Sequence, residues 1–338
     1  LTFGQWLYNN SFGFEGVSQM LCNSLLTIDE KSVAADIERN IRTLVQANSA
    51  RGVVMGLSGG IDSALIATLA VRALGKERVL AYHLYDRDSD KQSRQKAQLM
   101  ADWLGIELKC CDIAPAMREK QIYAPLIMRL TMVSGFINRC FGNSLNRLFA
   151  GELPFISTLR RAGAGGGNSI VDALYDRTVG RVEAAFNARH RYRRSFLEQK
   201  AKEKNMIVLG AANRSECMVG WFVKDGIDDM PFSPINHLYK TQVRQLADYL
   251  LLPGPIRKQR PSPDMLKGLT DEDAVGIRYA CLDVILEGIE HGLTDEQILA
   301  LGPTAGQIAH VRKLKELSEW KRIPHPQQDM CQKPLNRF

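Results

Sequence analysis

The chain has 338 residues, 45% of them hydrophobic and 24% charged, enough apolar mass for one large domain or two smaller ones. No run of about eighteen uncharged apolar residues occurs and no basic segment leads into an apolar run at the N-terminus, so neither a membrane span nor a secretory signal is expected. A net charge of +7 and a pI near 9.0 favour anionic partners such as nucleotides or phosphates, without by themselves marking a nucleic-acid binder.

Residues 1–32 are polar and aromatic and read as an N-terminal extension. From Val33 to Ala47, apolar Val33, Ile37, Ile41 and Leu44 recur at helical spacing. Val53 to Leu57 is a short buried strand, followed by a Ser/Gly turn and a helix over Asp62–Leu74 that stops at Gly75. The alternation continues with a strand at Arg78–Leu84, a helix at Lys91–Leu104 ending at Gly105, and a strand at Ile106–Cys111. A basic helix, Glu183–Lys204, and a strand, Met206–Leu209, follow later. Strands alternating with helices of this length predict an α/β fold: a doubly wound parallel sheet flanked by helices, with ligands beyond the carboxyl ends of the strands. The pattern breaks over 125–181, an inserted helical segment. Its Arg160–Gly167 stretch, rich in glycine, predicts a hinge or mobile loop. The insertion is read first as packing or dimer surface, then as a lid, and last as a dock for a membrane or partner. Residues 326–338 form a C-terminal tail.

The turn Gly56-Leu57-Ser58-Gly59-Gly60-Ile61-Asp62-Ser63 carries the chemistry. Its glycines let backbone N–H groups crowd toward a ligand, and a helix begins at the same point with free N–H groups and a favourable dipole for an anion. The hydroxyls of Ser58 and Ser63 add donors, and Asp62 suits a magnesium ion that neutralises phosphate charge. This is not the GxxxxGK[ST] loop of kinases and GTPases.

The strand–SGGxDS–helix order is similar to the PP-loop ATP pyrophosphatases, and residues 33–325 resemble the synthetase domain of NAD synthases outside the insertion. Gly210-Ala211-Ala212-Asn213-Arg214-Ser215-Glu216 resembles that family's GTGNKSE, whose glutamate completes a magnesium site with the turn's aspartate. Asn187-Ala188-Arg189-His190-Arg191 resembles an Asn/Lys/Arg motif whose last arginine contacts deamido-NAD. Leu238-Tyr239-Lys240-Thr241-Gln242 matches LYKTQ with its ATP-contacting lysine; Pro261-Ser262-Pro263-Asp264 resembles PSADL, Thr270-Asp271-Glu272 resembles TDE, and Glu319-Trp320-Lys321-Arg322 resembles the substrate-binding tail. The resemblance implies an adenine nucleotide alpha hydrolase-like fold and a homodimer. ATP binding would fall to Gly56 through Ser63, Ala211, Lys240 and Ser262, and substrate binding to Arg191, Lys224, Lys321 and Arg322. Asp62 and Lys240 would be catalytic, with Asp62 and Glu216 holding Mg2+.

The implied reaction is AMP- and pyrophosphate-forming amidation of a carboxylate, deamido-NAD, through an acyl-adenylate, with ATP as co-substrate. Residues 1–32 leave no room for a nitrilase-type glutaminase, so ammonia is expected free or from a separate protein. Three departures stand out: Ala211 replaces the motif threonine, Pro231 falls where the loop's last aspartate would contact deamido-NAD, and the insertion is long. Asp228 or Asp229 compensates for Pro231 only if the loop shifts. The alternatives are a divergent enzyme amidating or thiolating another carboxylate, with Cys217 as a sulfur-handling thiol rather than a small buried hydrophobe, and a non-catalytic nucleotide-binding regulator. Apart from Arg191, the basic helix is read as a solvated face. A nucleic-acid partner is not expected without a basic motif interleaved with aromatics. His83 is read as core and His190 as structural or solvated. The seven cysteines, none in a CxxC pair, predict reduced thiols in a cytoplasmic protein.

Overall fold

The computed structural model describes residues 25–125, 153–164, 175–262 and 270–322. Four short strands, largely buried at the centre of the sheet, set the architecture. These are β1 (Val53–Gly56), β2 (Val79–Tyr85), β3 (Leu108–Asp112) and β4 (Ile207–Leu209), all parallel in the order β3-β2-β1-β4. Met55 pairs with Ala81 on one side and with Leu209 on the other, so β1 is central and buried on both faces. Successive side chains point to opposite faces. Val53, Met55, Val79, Ala81 and Leu209 join one core. Val54, Tyr82, Leu84 and Val208 join the other.

The first core is covered by α1 (Glu30–Ala47), α2 (Ile61–Leu74) and α3 (Lys91–Leu104). The second is covered by α4 (Ala114–Glu119) and, beyond α5 (Pro154–Ala164), by the long α6 (Val179–Lys204). After β4 come α7 (Arg214–Val219), α8 (Lys240–Tyr249), α9 (Gly254–Arg257), α10 (Asp271–Val275), α11 (Tyr279–Glu290), α12 (Asp295–Ala300), α13 (Ala305–Leu317) and α14 (Glu319–Arg322). Helix α8 completes the first core, while α5, α11, α12 and α13 form a separate helical layer around Leu159, Leu282, Ile298 and Val311. Sheet order reverses at β1, where chain direction across the sheet switches toward β4. The crevice beyond the β1 carboxyl end is therefore the expected ligand position, and it holds the Ser/Gly turn.

Local signals place the helix starts. Asp29 caps α1 through the Ser32 N–H, Asp90 caps α3 through the Gln92 N–H at 2.9 Å, and Asn213 caps α7 through the Glu216 N–H at 3.1 Å. The last residues before Val33 are docked rather than loose: Leu26 is buried, and Gln245 bonds both the Leu26 carbonyl and the Ile28 N–H.

Two expectations are corrected here. Residues 160–164 are helical in α5, not a hinge, while 165–167 lie outside the described residues. Gly163 serves close packing: a Cβ there would sit 2.9 Å from Cδ1 of Trp320. The basic helix is a solvated face only in part: Lys202 and Lys204 are exposed and Arg194 and Lys200 half-buried, whereas Arg189 is fully buried and Arg193 nearly so. Arg189 Nη1 lies 3.1 Å from Asp88, and Arg193 Nη2 lies 3.1 Å from Asp86, so buried carboxylates at the end of β2 neutralise them. The segment Leu126–Phe149, most of residues 1–32 and the 326–338 tail lie outside the described residues.

Candidate active site

One cavity of about 1290 Å³ opens at the carboxyl end of the sheet. Every residue from Gly56 to Ser63 lines it, together with Ala211, Glu216, Lys240, Ser262 and Lys321. The turn holds its shape through its own hydroxyls. Ser58 Oγ and Ser63 Oγ are 3.0 Å apart, the Ser58 N–H donates to Ser63 Oγ at 3.2 Å, and Ser63 Oγ donates to the Gly60 carbonyl at 3.0 Å. Gly59 has φ +86°, and a Cβ there would stand 2.4 Å from the Ser93 carbonyl, so only glycine fits. Gly60 is the N-cap of α2 and no side chain caps that helix, which leaves first-turn N–H groups facing the cavity mouth for an anion.

Beside the turn, Lys240 at the start of α8 is 2% exposed and reaches two carboxylates, Asp62 Oδ2 at 2.6 Å and Glu216 Oε1 at 3.0 Å. Asn213 donates to Asp62 Oδ1 at 3.0 Å while accepting the Glu216 N–H, so one buried amide sets both acids. Lys240 itself is placed by its backbone. Its N–H donates to Ser215 Oγ at 2.8 Å, and the Thr241 N–H donates to Asp283 Oδ2 at 2.8 Å. Ser215 Oγ in turn donates to Asp283 Oδ1 at 2.5 Å.

Asp271 is a third acid on the cavity wall. Burial, then the charges of Asp62 and Asp271, push the Glu216 carboxyl up to about 8 against the pull of Lys240. Burial likewise pushes Asp271 up to about 6. Burial opposes the Lys240 charge, yet Asp62 and Glu216 hold its ammonium above the ordinary lysine value. Three acids facing one ammonium leave negative charge for a further cation. Among the described residues no three His, Cys, Asp or Glu side chains form a ready-made metal cage. Two carboxylates completed by phosphate oxygens and water is the set that suits magnesium.

The far end of the cavity is lined by Glu183, Asn187 and His190 of α6, by Asp228, and by Lys321. Lys321 Nζ donates to the carbonyls of Gly220 at 2.9 Å and Phe222 at 2.6 Å, and burial pushes its pKa down to about 8. Burial also raises Glu183.

Three residues singled out for substrate contact do not line the cavity. Arg191 is exposed, with Nε donating to the Lys224 carbonyl at 3.4 Å; the cavity face of α6 runs through Glu183, Asn187 and His190, and the helical turn of about 100° per residue carries Arg191 off it. Lys224 Nζ donates to the Lys321 carbonyl at 3.0 Å. Arg322 bonds the carbonyls of Met218 at 2.8 Å and Lys315 at 2.5 Å, tying off the end of α13. Pro231 also lies outside the cavity wall, whereas Asp228 forms part of it.

His190 lines the cavity rather than solvent, and buried His83 borders it while its Nδ1 meets the Leu57 carbonyl at 2.9 Å. Cys217 does not line the cavity, and burial, then the Glu216 charge, push its thiol up to about 12. That is the reverse of an activated sulfur nucleophile. Asp271 carried a sequence signal in its Thr-Asp-Glu motif, whereas Glu183 had none.

A family model described as NAD synthase matches residues 33–125 and 168–325. The NH3-dependent NAD+ synthetase of Thermotoga maritima is 35% identical over 288 residues, 85% of this chain and 95% of that protein. The protein of the same name from Methanosarcina mazei is 33% identical over 278 residues, 82% of this chain and 89% of that one. Among solved structures, an NH3-dependent NAD synthetase from Campylobacter jejuni superposes with a TM-score of 0.59 at 25% identity, covering 88% of this chain and 99% of that one. An NMN synthetase from Francisella tularensis shares the fold, with a TM-score of 0.62 at 24% identity over 88% of this chain and 98% of that one. With its Ser/Gly turn, buried lysine and paired acids in one crevice, and relatives matching along nearly their whole length, the chain belongs to the NAD synthase family.

Proposed function

We propose that this protein is an ammonia-dependent carbon–nitrogen ligase that converts deamido-NAD, ATP and ammonia to NAD, AMP and pyrophosphate. The observation that carries the reading is the convergence of Asp62, Glu216 and buried Lys240 beside the phosphate turn, in the same cavity as an acceptor end. The names of the relatives support the same substrates.

A carboxylate oxygen of the acceptor attacks the α-phosphorus of ATP, and the bond to the β-phosphate oxygen breaks. The departing pyrophosphate is received by the Ser58–Ser63 turn and the N-terminus of α2. Lys240 places fixed positive charge where negative charge develops. Ammonia then adds to the acyl carbon, a proton leaves the nitrogen, and the carbon–oxygen bond to AMP breaks. No protein nucleophile is needed, because positioning and electrostatics suffice. Asp62 and Glu216 would hold Mg2+, which when bound supplies charge neutralisation for the phosphates.

Lys321 belongs to the acceptor side of this reading. Ala211 forfeits one hydroxyl near the nucleotide, a loss of about 0.5–1.5 kcal/mol that ATP use survives. Free ammonia, a homodimer and a cytoplasmic setting complete the proposal. The described cysteines 110, 111, 217 and 281 are free thiols, as a reducing compartment favours. Among the described residues no helix is long and apolar enough to cross a membrane.

The test is stoichiometry: wild-type protein with deamido-NAD, ATP and ammonium should form NAD, AMP and pyrophosphate in equal amounts. Pyrophosphate release driven by another carboxylic acid, with no NAD from deamido-NAD, would refute it.

A further inference from the structure

Helix α5 lies between the two segments that the family model matches, yet its first turns form part of the cavity wall. Phe155 and Thr158, three residues apart on one face, line the cavity, while Ile156 and Leu159 on another face are buried in the helical layer. The helix is fixed in that place. Thr158 Oγ1 lies 2.6 Å from the Tyr175 hydroxyl, which donates to Oε2 of Glu183 on α6 at 3.3 Å. At its other end, Gly163 packs against Trp320 of α14.

Phe155 stands edge-on to Trp221, with ring centroids 4.9 Å apart and planes at 87°. Lys321 Nζ lies 6.0 Å from the Phe155 centroid and 5.2 Å from that of Phe222. All four residues line the cavity, so a buried cation is set among aromatic rings, one of which the insertion supplies. Glu183 is the acid beside them. Burial raises its carboxyl above the ordinary range, which lessens its charge and its repulsion of an anion. A carboxylate drawn to Lys321 leaves the ring bonded to it within a few ångströms, in the space that Phe155 and Trp221 bound. Aromatic rings favour edge-on or offset contact there, and close-packed walls resist even one added methyl group.

We infer that α5 is a fixed wall of the acceptor pocket and that Phe155 sets the size of the carboxylated ring the acceptor can carry. The inserted segment thereby takes part in substrate selection, and Phe155 is a specificity-determining residue. The inference rests on the deamido-NAD reading above.

The test is steady-state kinetics on the full chain with deamido-NAD and with analogues bearing one methyl group on the pyridine ring, at each free ring carbon in turn. Wild type should discriminate against at least one isomer by about tenfold or more in kcat/KM. Phe155→Ala should bring that ratio to within about twofold. With deamido-NAD itself, its acceptor KM should rise about five- to tenfold while the KM for ATP stays within about twofold. Phe155→Leu, which keeps an apolar but smaller wall, should relax the ratio part of the way. A merely structural role would slow deamido-NAD and its analogues alike and leave the ratio where it was.

An unchanged ratio for every isomer in Phe155→Ala overturns the inference, as does a KM rise confined to ATP. Should Phe155→Ala not fold, Phe155→Leu decides by the same ratio. Wild type that uses every methylated isomer as well as deamido-NAD also overturns it, without recourse to a variant. Wild type that forms no NAD from deamido-NAD removes the functional reading and this inference with it, whereas normal NAD formation with an unchanged ratio removes only the inference.

Discussion

Lys240 is the residue on which the end of the cavity beside the Ser/Gly turn depends. Its ammonium offsets Asp62 and Glu216 at 2.6 and 3.0 Å, with Asp271 on the same wall. Replacing it by methionine keeps the apolar stem and removes the charge. Transition-state charge at the departing pyrophosphate then loses a fixed partner, and kcat should fall about 10²–10³-fold. Stability should fall by less than the roughly 3–5 kcal/mol typical of a broken buried pair, because Glu216 and Asp271 already sit above the ordinary carboxylate range and can take up protons. Urea unfolding alongside turnover checks both parts. A variant with near-normal kcat would show that Lys240 only holds the acids apart.

At the scale of elements, the site depends on how α7, α8 and α11 are joined. Asp283, fully buried on α11, accepts from Ser215 at the start of α7 and from the Thr241 N–H at the start of α8. It acts as a helix cap supplied from a third helix. Removing it leaves buried donors without a partner, so Asp283→Ala should cost about 2–4 kcal/mol and lower activity by displacing Lys240 and Glu216 together. Asp283→Asn keeps one acceptor oxygen and should retain most of both. Equilibrium denaturation of the two variants decides, and equal losses would locate the role in charge rather than capping.

Across the whole molecule, buried acids make stability depend on pH. Glu216 rests at about 8 in the fold against an ordinary 4.5, and Asp271 and Asp283 at about 6 against 3.8. Between those limits the folded chain holds protons that the unfolded chain has released. The Glu216 contribution is therefore complete below pH 4.5 and is lost as pH rises through 8. Without bound ligands, the Tm difference between wild type and Glu216→Gln should shift against wild type from about pH 5 to 8. Parallel Tm curves would contradict the raised value.

The sequence by itself determined the parallel α/β alternation, the Ser/Gly turn and the helix stops, and its family resemblance singled out Asp62, Glu216 and Lys240. The alternation, the turn and the stops are written in near-neighbour spacing: strand and helix periods, and glycines at forced turns. Tertiary structure alone decided what depends on rotation and approach. It brings Lys240 to Asp62 across 178 positions of sequence. It turns Arg191 off the cavity face of α6 and buries Arg189 and Arg193 against the acids after β2. It presses Gly163 against Trp320 and admits Asp228, not Pro231, to the cavity wall. These outcomes follow from how elements distant in sequence pack. A helix pattern states which residues share a face but not what that face will meet, and a loop's spacing does not state which side chain turns inward.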